Sequence, residues 1–226
     1  PDISYIQDLH SEYLYSISLI GVVDLQIGRW IYPYENLAKH LIVYYALNKI
    51  QIDSQIMKSF WIKASPELRN HALSFIGRNR KDASKVMIKR FMKLWNSRLM
   101  IATSENDNTQ YVEELKAFGW WFVSELFDDV WCLGELEKVL QITGEVDIDH
   151  QVIERLANLS SKYPLKTVSL VERMIEGKNK AWGMILWSDH VKNVLSSALS
   201  SEDVEAQKAA EALINRLAAR GNLDFN

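Results

Sequence analysis

The sequence predicts an all-α chain built from antiparallel helix pairs. Three observations lead there. Only four prolines and nine glycines occur in 226 residues, so chain breakers are sparse. Apolar residues recur at spacings of three and four over long segments, and no clean run alternates with period two. From Pro66 onward, helix starts fall into pairs whose first members lie about forty residues apart, and such a period marks a two-helix repeat.

The elements follow in order. A first helix is expected over about Ser4–Ile20, with Ile6, Leu9, Tyr13, Ile17 and Ile20 on one face. Tyr34–Lys49 follows Pro33, and a short helix covers about Ser54–Ala64. Ser65-Pro66-Glu67 supplies an N-cap with proline at the first helical position, and this helix reaches about Arg78. The next runs from Ala83 to about Ile101, before the polar loop Thr103–Asn108. Further starts fall near Thr109, Val130, Ile148, Pro164, Asp189 and Glu202. The dipeptides Asp149-His150 and Asp189-His190 repeat in this register, each expected to open the first helix of a pair.

A helical hairpin cannot cover both of its apolar faces, so each pair needs a neighbour. Ile153, Leu156, Leu159 and Tyr163 on one helix, Val168, Val171 and Ile175 on the next, and Ala206, Ala209, Ala210, Leu213, Ile214 and Leu217 on the last fit inward faces. Arg220-Gly221 reads as a helix stop. The resulting architecture is an α-solenoid of antiparallel helix pairs, HEAT/armadillo-like, with about four to five repeats. Residues 65–226 form the repeats, and residues 1–64 add N-terminal helices continuous with the array.

The aromatic stretch Gly119–Trp131 fits a joint between helices better than a catalytic pocket. Tyr111, Leu115, Phe118, Phe122 and Leu126 make a buried stripe flanked by Trp121. Trp120 projects to the polar side with Glu113, Lys116 and Ser124. Asp128-Asp129 falls at the turn, where Asp129 is expected to cap the next helix, and Trp131 packs at that helix's first turn.

The units from Pro66 to Gly221 resemble HEAT-like repeats. Phe-Gly-Trp-Trp-Phe (118–122), Phe-Asp-Asp-x-Trp (127–131), Val-Ile-Glu-Arg-Leu (152–156) and Ala-Ala-Glu-Ala-Leu-Ile-Asn-Arg-Leu (209–217) are similar to C-terminal helical regions of large bacterial multidomain proteins, some associated with defence against phage. That resemblance implies a ligand- or protein-sensing array whose effector module lies elsewhere. The first residue, Pro1, likewise suggests a piece of a longer protein.

No catalytic, cofactor or metal site is expected. The two Asp-His dipeptides invite comparison with metal ligands, but adjacent helix residues point apart and capping explains them more simply. Cys132, the single cysteine, sits near a helix start where the dipole would favour a thiolate, but without an identifiable histidine partner it reads as a buried structural thiol. Glu113-Glu114 and Glu135/Glu137 read as solvated surface charges. Neither phosphate-binding glycine motif occurs. No apolar run is long enough to span a membrane, and one cysteine in a chain without a secretory start fits a cytoplasmic home.

Charge patterning is the strongest surface feature. From Arg78 to Arg98 eight basic residues face one acidic residue, whereas from Glu105 to Glu154 thirteen acidic residues face two basic ones. The basic ridge reads as a solvated face, a partner for the acidic segment, or a docking surface. Lys85, Lys89, Arg90 and Lys93 are its candidate partner-binding residues, joined by Trp120 and by Trp182 in the apolar segment Gly177–Trp187, which is expected to fold back over the repeat edge. The expected function is a non-catalytic interaction or sensing module that binds protein partners or adjoining domains. Nucleic-acid binding through the Arg78–Arg98 ridge is the alternative.

Overall fold

A computed structural model describes residues 31–78, 83–104, 108–177 and 181–220; the side chains of 31–34, 36–37 and 181–185 fall outside that description. Among the described residues every regular element is helical: α1 (Ile31–Ala46), α2 (Gln55–Lys63), α3 (Pro66–Arg78), α4 (Lys85–Ser104), α5 (Thr109–Lys116), α6 (Phe118–Val123), α7 (Asp129–Thr143), α8 (Asp149–Leu159), α9 (Pro164–Glu176), α10 (Ala181–Leu199) and α11 (Val204–Ala219). The helix expected over Ser4–Ile20 lies outside the described residues, as do Arg80, Lys81 and Gly221.

Several starts carry side-chain caps, whereas α6, α8 and α9 have none. Ser54 accepts from the amide of Met57, Ser65 from Leu68 and Ser84 from Met87, each satisfying an amide that a helix start leaves without an internal partner. Asp203 caps α11 through Glu205 and Ala206. At the 128–129 pair the expected assignment is reversed. Asp128 is the cap, accepting from Val130 at 3.0 Å and Trp131 at 3.1 Å. Asp129, one residue inside α7, instead meets Arg155 at 2.9 Å and Lys162 at 3.5 Å.

Two further boundaries differ from expectation. The helix starting at Thr109 does not run unbroken through Phe122. It stops at Lys116, whose carbonyl accepts the amide of Asp147 at 3.0 Å, and a tight turn from Trp120 N–H to Ala117 C=O leads into α6. This close passage requires Gly119, because a β-carbon there would collide with the Asp147 carbonyl oxygen. In the second case, Asp189 does not open a helix. Helix α10 begins at Ala181, so Ala181–Trp187 is the start of a helix and not an interrupting segment, and Trp187 is buried within it.

The chain separates into two compact units: residues 1–76 with 83–114, and residues 77–82 with 115–226. In the first unit α1 packs on α4. Ala38, Leu41, Ile42, Tyr45, Leu73, Phe91, Leu94 and Trp95 are all buried. In the second unit α6 packs on α7, α8 on α9, α9 on α10 and α10 on α11, and alternate helices pack as well: α6 on α8, α8 on α10, α7 on α9 and α9 on α11. The inward residues are those the 3.6-residue period selects, including Ile153, Leu156, Val168, Val171, Ala206, Ala210, Leu213 and Leu217.

Candidate functional site

The basic ridge resolves into two populations. Lys85, Lys89 and Lys93 lie four residues apart on α4, all exposed, with no ion pair to a described residue. They form a row about 12 Å long at 1.5 Å per residue. Arg90 does not belong to that row, contrary to expectation. Its Nε donates to the carbonyl of Tyr45 at 2.6 Å, its Nη1 to Asn48 Oδ1 at 2.7 Å and its Nη2 to the carbonyl of Ile50 at 2.9 Å. The guanidinium stacks on the Tyr45 ring, whose hydroxyl donates back to the Arg90 carbonyl at 2.9 Å. Carbonyls at the end of α1 lack helical partners, and a planar five-donor group suits them. Arg90 is therefore a structural clasp, and replacing it with glutamate would perturb folding.

Arg98 is also internal. Its guanidinium holds Glu114 by two bonds of 2.6 and 3.0 Å, and Arg69 adds a third contact at 2.9 Å. Glu114 is fully buried, which corrects its reading as a solvated surface charge. Burial presses the Arg69 pKa down, with Glu114 opposing that shift. Arg69 also donates to the carbonyls of Trp61 and Gln110. Beside this triad lies a cleft of about 300 Å³ lined by Asp53, Lys58, Trp61, Ile62, Arg98 and Ile101.

Acidic residues of the 105–154 segment that lie in the second unit meet cations of the same unit. Lys116 meets Glu145 at 2.8 Å, Lys166 meets Glu137 at 2.5 Å, and Lys138 meets Glu135 at 2.7 Å. Glu135 is itself buried and not solvated as expected. Of these cations, Lys166 comes from α9, later in the chain than the glutamate it meets.

Trp120 is half-buried, with the Arg78 guanidinium 4.2 Å from its ring centre, so it is partly engaged already. The Trp182 side chain lies outside the described part of α10. Cys132 is fully buried, and burial pushes its thiol up to about 12, with nearby Arg155 opposing the rise. Desolvation outweighs the helix-start effect, as a structural thiol requires. Native protein is expected to leave Cys132 unmodified by a thiol-specific disulfide reagent at pH 8, with one thiol reacting per chain after denaturation; rapid labelling of the folded chain would contradict that burial.

The two histidines of the Asp-His dipeptides, read from the sequence as part of helix caps and not as ligands, meet in the structure. His150 and His190 are brought together, with ring centres 5.5 Å apart and planes at 81°. Glu154, one turn beyond His150 on α8, joins them, and the three potential ligand atoms all lie within 4.8 Å of one another. The signal was His150-x-x-x-Glu154 combined with the forty-residue Asp-His repeat. A search confined to His-x-x-x-His on a single helix passes over it.

No family model, curated protein or solved structure matches this chain.

Proposed function

We propose that the chain is a non-catalytic interaction module of a larger protein, an α-solenoid of HEAT-like helix pairs that binds an acidic protein partner. The packing of alternate helices carries the reading. Helices α6, α8 and α10 form one succession of contacts, and α7, α9 and α11 form another. Each helix thus covers a face left open by its hairpin partner, which is the logic of a stacked repeat array. The exposed Lys85–Lys89–Lys93 row is the contact surface, because its charges have no described counter-ion and its stem residues lie on a helix anchored by buried Phe91, Leu94 and Trp95.

The test uses Lys85→Glu, Lys89→Glu and Lys93→Glu together, leaving Arg90 intact. Exposed charges contribute about 0–1 kcal/mol each to stability, so the melting temperature is expected to change little. Capture of a protein partner from nuclease-treated extract is expected to fall sharply in the triple variant, and to weaken for the native chain as salt rises. Unchanged capture would remove the row from the interface. Capture abolished by nuclease, together with a steep salt dependence of duplex or single-strand binding, would favour the nucleic-acid reading.

A further inference from the structure

The geometry points to a transition-metal site formed by His150, Glu154 and His190, which clips α8 to α10. His150 and Glu154 lie four apart on α8 and therefore share one face. His190 comes from α10, the helix on which α8 packs. Two separate elements thus supply the three ligands, and all three donor atoms lie within 4.8 Å of one another. His150 lies in the first turn of α8 and His190 near the middle of α10, and the packing of these two helices brings the rings together.

The donor set selects the ion. Two imidazoles and a carboxylate suit Zn²⁺ and neighbouring late first-row ions, whereas Mg²⁺ and Ca²⁺ prefer all-oxygen sites. Tetrahedral ligation at about 2.0–2.1 Å sets donors roughly 3.3 Å apart, so no pair of donors needs to close by more than about 1.5 Å on binding. His150 and Glu154 are exposed and His190 is half-exposed, so side-chain rotation alone can supply that movement. The positive end of α8 opposes a cation beside His150, and Glu154, one turn further along, supplies the countercharge. Three protein ligands leave a position for water or for a donor from a bound partner, so the site is both a clip and a point of further coordination. This assignment stands independently of the lysine row.

The experiment is calorimetric titration of the full chain, stripped with chelator and dialysed, with Zn²⁺, paralleled by visible spectroscopy with Co²⁺. One ion per chain, micromolar affinity and a Zn²⁺-dependent rise in melting temperature are expected. His150→Ala and His190→Ala should each weaken binding by at least about tenfold, a loss reached even when an outer-shell partner is removed. Glu154→Gln should weaken it measurably, and at equal Zn²⁺ each of the three should gain less thermal stability than the native chain. His150→Ala is the safeguard against misfolding, because that ring is exposed; its metal-free melting temperature is expected to match the native chain. Absence of saturable binding by the native chain would overturn the site. So would equal affinity in the histidine variants, or a thiolate-to-cobalt charge-transfer band implicating Cys132.

Discussion

Glu114→Gln is expected to cost about 3–5 kcal/mol in urea unfolding, among the largest effects of any single change in the first unit. The carboxylate is fully buried between the guanidiniums of Arg69 and Arg98. Glutamine keeps the shape and removes the charge, so both cations remain desolvated without their counter-ion. Arg69 and Arg98 are each about one-twentieth exposed, so water cannot readily replace the carboxylate. The Arg98 guanidinium also lies 4.7 Å from the centre of the Trp61 ring, and Arg69 holds the Trp61 and Gln110 carbonyls. Loss of the carboxylate therefore disturbs the joint between α2, α3, α4 and α5. A cost below about 1 kcal/mol, the range of exposed pairs, would show that the triad is solvated and that its geometry contributes little.

The helical class was legible because it depends on local period and sparse breakers, which any window of the sequence displays. The Ser65 cap was legible for the same reason, because it acts within three residues of itself, whereas the capping expected of Asp149 and Asp189 is not observed: Ile148 precedes α8 without a side-chain cap, and Asp189 lies inside α10. The choice between Asp128 and Asp129 was not, since both fall at the turn and only the backbone geometry decides which carboxylate reaches the free amides. Charges were read least well. A run of basic residues looked like one surface, yet Arg90 reaches back to Tyr45 and Arg98 forward to Glu114, while lysines between them stay in water. Sequence position on α4 separates these fates in principle: Lys85, Lys89 and Lys93 share the four-residue row, whereas Arg98 falls beside Leu94 and Trp95 on the buried side. The fate of Arg90 depends on where α1 ends, a long-range fact no local pattern carries. His150 and His190 show the same limit in reverse: their residue types were visible, and their proximity required the packing of α8 on α10.

Phe122→Ala is expected to destabilise the second unit by about 3–5 kcal/mol, whereas its neighbour two positions back, Trp120→Ala, should cost only about 1–2 kcal/mol. The ordering runs against side-chain size, which makes it a sharp test of helical phase. Phe122 is fully buried, and the Arg155 guanidinium lies 4.9 Å from its ring centre. Arg155 Nη1 is buried without a hydrogen bond to a described residue, so the aromatic face is part of what accommodates that cation. Alanine leaves a cavity and also strips this face away, while the Asp129 contact to Arg155 at 2.9 Å remains. Trp120 sits differently: half-buried, it loses its stacking with Arg78 and part of its apolar contact, and water can enter where the indole stood. Phe122→Leu restores most of the lost volume without the aromatic face, and its cost should fall between the two alanine variants. Urea titrations of the three variants measure the differences directly. Equal losses for Phe122→Ala and Trp120→Ala would place the indole in the core, and would mean that α6 enters its unit on a different face from the one Gly119 and the Asp147 backbone define.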